Sequence, residues 1–134
     1  EMPTLIELAR ELGVSRQVTF KGHVQNPWPI LASADAFLLP SRWEGMPNAA
    51  LEALASGTPV ISTCEAGGIG EVAETAPAGA VRLAATEDDF IDAMKAVLPM
   101  PRDSIARESL LPEGFSLDAV MAEFNELLAG ATDG

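Results

Sequence analysis

Two acidic residues stand out by type and spacing: Glu44 and Glu52, separated by seven residues. The segment Phe37-Leu-Leu-Pro-Ser-Arg-Trp-Glu-Gly-Met-Pro-Asn-Ala-Ala-Leu-Glu-Ala-Leu-Ala-Ser-Gly57 carries both. An apolar run ending at Pro40 predicts a strand buried on both faces. A loop with Glu44 and Gly45 follows, then a short apolar helix over 48–56 closed by Gly57. In open α/β sheets, ligands bind beyond the carboxyl ends of the strands, so this order delivers a site. Pro47 suits the first helical position, where its missing N–H costs nothing. The amides of Asn48 and Ala49 are then free to hold an anion at the positive end of the helix dipole.

Glu52 lies within Ala49-Ala-Leu-Glu-Ala-Leu-Ala, a helix apolar on nearly every side, and such helices are buried. An unpaired carboxylate there costs several kcal/mol, and no Lys or Arg lies within a turn of it. A vicinal pair of ribose hydroxyls would supply two donors, as for the acidic residue of dinucleotide folds. The pattern equally fits a Glu projecting from one solvent-facing edge of a crowded helix.

The elements that position this segment are legible by period. Leu5, Leu8, Ala9 and Leu12 have helical spacing, with a stop at Gly13. Val18-Thr-Phe-Lys-Gly22 alternates as a short strand, and Asn26-Pro27 and Pro29 mark a loop. Residues 28–34 read as a short helix with Ile30 and Leu31 inward, and 36–39 as the buried strand. After the helix over 48–56 come a strand over 58–63, a tight loop at Ala66-Gly67-Gly68, a helix near 70–74 and a strand over 79–83. Thr86 opens a helix to about Leu98, with Asp88 and Asp89 in its first turn. Pro99, Pro101 and Pro112 break the next stretch. A final amphipathic helix covers 116–129, with Leu117, Val120, Phe124, Leu127 and Leu128 on one side, and residues 130–134 are expected to be a disordered tail. Alternating strands and helices, with strands that are not half-polar, predict an α/β fold: a parallel sheet with helices on both faces. Residues 1–115 read as the ligand-binding unit and 116–134 as a terminal helix and tail.

Composition narrows the partners. Twenty acids against 8 bases give a net charge of −12. That argues against nucleic acid, whose phosphates need clustered Lys and Arg, and against an anionic membrane surface. No apolar run approaches the ~20 residues of a membrane span, and no basic-then-apolar leader opens the chain. The lone Cys64 cannot form an internal disulfide, which suits the cytoplasm. An opening on Glu1, with a helical pattern running by Thr4, reads as a chain whose start has been cut away.

The segment around Glu44 and Glu52 resembles the signature of the retaining glycosyltransferase family 4, with its Glu–seven residues–Glu motif. Pro40-Ser41 precedes it and Ala53-Leu-Ala-Ser-Gly-Thr-Pro-Val-Ile61 follows it as in that family. Upstream, Val18-Thr-Phe-Lys-Gly22 resembles a V-x-F-x-G strand; downstream, Gly67-Gly68-Ile-Gly-Glu71 resembles a G-G-x-x-E block. The four blocks come in family order over roughly residues 5–98. The resemblance implies a partial doubly wound, Rossmann-like sheet, the C-terminal, donor-nucleotide half of a two-domain glycosyltransferase B fold. It implies transfer of a sugar from a nucleoside-diphosphate sugar, with retention at the anomeric carbon and without a metal or other cofactor. Glu44 would touch the donor sugar near the reacting carbon, and Glu52 would hold the ribose. The amides around Asn48 and Ala49 would hold the diphosphate, with Gly22, Gly45 and Met46 also at the donor. Arg42, the only cation in the loop, fits either the diphosphate or an ordinary surface position.

Where family members carry a Gly-Arg and Lys-bearing loop after a first strand, this chain has none. The acceptor sugar or lipid would sit on an N-terminal domain that is missing, so the fragment alone is expected to be inactive. The first two strands of such a sheet would lie between the segment at Val18–Phe20 and the strand at Ala36–Leu39. Either the flanking strands slide together or another chain fills the gap. Among lesser candidates, His23 fits either a place near the base, as the resemblance implies, or a solvated loop; Lys21 reads as a surface residue, Trp28 as a cap on the core rather than a flank of the ligand, and Cys64 as a small core residue. Trp43 is placed to flank the ligand, and Glu71 to cap its helix or face the cleft. The rival functions are a sugar-nucleotide epimerase or phosphorylase of the same architecture, and a non-catalytic remnant used as an interaction surface.

Overall fold

Val60-Ile-Ser-Thr63 is the central strand of the sheet, because its first three residues are buried on both faces. In the computed structural model, which describes residues 2–99 and 107–132, three strands form one parallel sheet. The order is β1 (Phe37–Leu39), β2 (Val60–Thr63), β3 (Val81–Ala84). Phe37 registers with Val60, and Val60 with Val81. Parallel neighbours need a crossover, usually a helix. Here α3 (Asn48–Ala55) joins β1 to β2, and α4 (Ile69–Thr75) joins β2 to β3. Before them come α1 (Met2–Glu11) and α2 (Trp28–Ser33); after them come α5 (Glu87–Lys95), a 3₁₀ turn at Glu113–Phe115 and α6 (Leu117–Thr132).

The pleat sends alternate residues of β2 to opposite faces. On one face Val60 joins Leu31 of α2, Leu39, Ala50, Ala53 and Leu54 of α3, and Ile69 and Val72 of α4 in the main core. On the other face, α5 packs over β2 and β3, where Ile61, Ala84 and Ala93 are buried. The sheet is thus covered on both faces, as expected. α5 starts with a reciprocal cap: the Asp89 amide donates to Thr86 Oγ1 at 3.1 Å and the Thr86 amide to Asp89 Oδ2 at 3.1 Å.

Several expectations are corrected. Val18–Gly22 forms no strand. Among the described residues it pairs with nothing, and Val18 and Phe20 are exposed; an alternating pattern becomes a strand only where a ladder partner satisfies its backbone. It has not slid against β1, whose outer edge is unpaired among the described residues. β1 is not buried on both faces: Leu38 registers with Ile61 but lies partly exposed, because α5 sits over β2 and β3. Leu31 points inward but Ile30 is exposed, one residue being enough to fix so short a helix. Trp28 is also exposed and caps no core. Cys64 follows the last residue of β2 and is exposed. Pro47 is the N-cap of α3, not its first residue. α5 stops at Lys95, ahead of Pro99, which disfavours helix before it. α6 forms but its apolar stripe, including Leu117, Phe124 and Leu127, is exposed. The expected tail is helical as far as Thr132, while Asp133 and Gly134, like Pro101, lie outside the described residues.

Candidate functional site

β1 ends at Leu39, and its carboxyl end feeds the loop 40–47. That loop is fastened to β2 and to the turn after it. Thr63 Oγ1 donates to the carbonyl oxygen of Ser41. The Gly68 amide donates to the carbonyl oxygen of Gly45 at 2.8 Å. Within the loop, Ser41 Oγ donates to Glu44 Oε1 at 2.9 Å. Glu44 is half-buried, while Gly45 and Met46 are exposed.

The loop delivers the chain to α3. Pro47 caps it without a side-chain bond, and its carbonyl accepts from the Ala50 and Leu51 amides at 2.9 and 3.2 Å. The first amides of a helix have no intrahelical acceptor, and those of Asn48 and Ala49 have no partner among the described residues. Both residues are exposed, so these N–H groups are available at the positive end of the helix dipole. α3 is not apolar-packed all round. Ala50, Ala53 and Leu54 are fully buried, whereas Asn48, Ala49 and Glu52 are not. Alanines satisfy either environment, which is why the sequence overstates the burial. Asn48 and Glu52 are one turn apart and share a side of the helix. Glu52 is half-buried as a residue, and its carboxylate makes no hydrogen bond or ion pair among the described residues. Two unpartnered amides at the start of α3 and an unpartnered carboxylate one turn along it therefore belong to the same helix.

The remaining predicted residues lie elsewhere. Arg42 is exposed and lines a cavity of about 710 Å³ at the carboxyl ends of the strands, with Pro40, Thr63, Cys64, Thr86 and Phe90. Glu44, Glu52, Asn48 and Ala49 do not line it. Gly22 has a positive φ of 63° in the irregular segment after α1, and a Cβ there would meet nothing within 4 Å. His23, Lys21, Trp43 and Glu71 are exposed.

Sequence reading missed the fasteners. Ser41 and Thr63 are hydroxyls at the ends of adjacent strands, a signal that was there to be used. Arg107 had none: its Nη1 reaches back to the Ala34 carbonyl at 2.7 Å and Thr58 Oγ1 at 3.2 Å, tying the segment after α5 to α2 and β2. Thr58 Oγ1 in turn donates to the Leu31 carbonyl at 2.6 Å.

The family model for glycosyl transferases group 1 matches residues 1–99. The chain belongs to that family. It is 44% identical over 63 residues to the lipopolysaccharide core biosynthesis glycosyltransferase LpsE of Rhizobium meliloti (strain 1021), covering 47% of this chain and 18% of that protein. It is 36% identical over 112 residues to the D-inositol 3-phosphate glycosyltransferase of Nocardia farcinica (strain IFM 10152), covering 79% of this chain and 24% of the relative. Thus the chain spans about a quarter or less of these relatives' length. In structure it is similar to the apo form of the lipopolysaccharide outer core galactosyltransferase WaaB, with a TM-score of 0.77 and 24% identity over 96% of this chain and 38% of that one. That likeness establishes the fold, a parallel α/β unit of the glycosyltransferase B type.

Proposed function

We propose that this glycosyltransferase-family chain binds the donor, a nucleoside-diphosphate sugar, for a retaining transfer of the family 4 kind. The diphosphate lies on the free amides of Asn48 and Ala49, and the ribose hydroxyls donate to Glu52. Glu44, held by Ser41, meets hydroxyls of the donor sugar near the reacting carbon. Gly45 and Met46 flank the sugar, and the backbone amides, rather than a metal ion, take up charge as the leaving diphosphate departs. The observation that carries this reading is the pairing on α3 of two unpartnered amides with the unpartnered carboxylate of half-buried Glu52 a turn away. One group calls for an anion and the other for hydroxyl donors, and a ribose diphosphate has both.

The acceptor sugar or lipid belongs to a domain outside these 134 residues, in keeping with the quarter or less of the relatives' length that they span. The chain by itself then binds donor without transferring sugar, and the reaction takes place in the cytoplasm, which suits a chain whose one cysteine, Cys64, can form no internal disulfide. The test is a titration of the 134-residue protein with UDP and GDP, followed by amide NMR. The expected result is movement of the Asn48 and Ala49 signals with the diphosphate and none with the bare nucleoside. Shifts confined to the Arg42 cavity would place the ligand elsewhere and defeat the proposal.

A further inference from the structure

The two glycines of Gly67-Gly68-Ile-Gly-Glu71 sit directly beneath the Glu44 loop. Gly67 has φ +58°, a conformation side chains rarely adopt. A Cβ there would fall on the carbonyl oxygen of Glu44. At Gly68, a Cβ would meet the Gly45 carbonyl oxygen at 2.8 Å and Met46 Cε at 2.9 Å. The Gly68 amide uses that closeness, donating to the Gly45 carbonyl. From the other side, Thr63 Oγ1 holds the Ser41 carbonyl and Ser41 Oγ holds the Glu44 carboxylate. The loop and the Glu44 side chain are therefore held separately: the Gly67–Gly68 turn lies against the Glu44 carbonyl and bonds the next one, at Gly45, while Ser41 holds the carboxylate.

We propose that Ser41 and the Gly67–Gly68 turn are positioning residues for Glu44, fixing its carboxylate where it meets the sugar of the donor. This rests on the reading of Glu44 as a donor-sugar contact. A carboxylate on a long side chain has several rotamers, and orienting it before the ligand arrives removes that cost from binding. Ser41 acts only through the Glu44 carboxylate. Its loss is felt by a ligand that carries the sugar and little by one that lacks it.

The measured quantity is a ratio of affinities by calorimetry on the 134-residue protein: UDP-glucose over UDP, and GDP-mannose over GDP, with the tighter pair carried forward. Ser41→Ala lowers the ratio about three- to tenfold, the cost of ordering one freed carboxylate side chain when the ligand binds. Ser41→Thr keeps the hydroxyl and restores it. In a Glu44→Ala background, Ser41→Ala changes nothing further, because the partner is gone. Gly67→Ala displaces the Glu44 carbonyl and lowers the ratio more than Ser41→Ala does. If Glu44→Ala itself leaves the wild-type ratio unchanged, Glu44 does not contact the sugar and the proposed donor reading of that residue falls, with this inference. If Glu44→Ala lowers the ratio but Ser41→Ala does not, only the positioning role is overturned. That role is overturned as well if the Ser41 effect persists in the Glu44→Ala background. A Gly67→Ala protein that unfolds cooperatively with the wild-type ratio overturns the part assigned to the turn; should that variant not fold, the Ser41 and Glu44 cycle decides.

Discussion

The face of the sheet under α3 and α4 and the flanking helices α1 and α6 are built from similar amounts of apolar sequence, yet they end in opposite environments. Leu54, Ile69 and Val72 are fully buried, and the alanines of α3 let that helix lie close on the sheet. By contrast, Leu12 is 66% exposed at the end of α1 and Leu127 is 67% exposed in α6. Both flanking helices carry a clean apolar stripe. A stripe records a demand for burial, and only a facing surface converts it into stability. The candidate site is mounted on the region where that conversion is complete: loop 40–47 is tied to β2 and to the Gly67–Gly68 turn.

The contrast between the two regions predicts a graded response to truncation. Leu54→Ala leaves a hole in a fully enclosed site and should cost about 3–5 kcal/mol, enough to remove much of the stability of a small domain. Thr86→Ala removes one half of a reciprocal cap at the surface and should cost about 1 kcal/mol. Leu127→Ala removes a large side chain from an exposed stripe and should change stability by no more than about 0.5 kcal/mol. Urea unfolding of the three variants beside wild type gives the order directly. A Leu127→Ala loss as large as that of Leu54→Ala would break the contrast, since it would mean that the α6 stripe is covered in solution.

The same contrast explains what could be read from the sequence. The run β1–α3–β2–α4–β3–α5 was legible because each element carries its own signal: short apolar runs, glycine after helices, and Thr86 with acids behind it. Crossovers through helices then make the strands parallel. Val18–Phe20 misled because alternation is local whereas pairing is not. Leu38, Ile30 and the α6 stripe misled for a related reason: periodicity names the face that wants cover and is silent on whether cover comes. At the candidate site, the strand–loop–helix order that carries Glu44, Glu52 and the amides of Asn48 and Ala49 was legible. The hidden parts were contacts between segments distant in sequence. Gly67 beneath Glu44 depends on the approach of two backbones, and Arg107 on a side chain reaching the distant Ala34 carbonyl; residue type alone reports neither.

In the proposed function, α3 offers its amides to a diphosphate and Glu52 to the ribose. Calorimetry of the nucleoside diphosphate against its 2′,3′-dideoxy analogue, on wild type and Glu52→Ala, tests this most directly. Two ribose hydroxyl bonds to the carboxylate predict that wild type prefers the natural ligand by roughly 1.5–3 kcal/mol for each charged hydrogen bond, before water compensates. The Glu52→Ala protein should remain folded, since Ala is the best helix former, and should bind both ligands alike. Equal binding of the two ligands by wild type, or an undiminished preference in Glu52→Ala, would contradict the account.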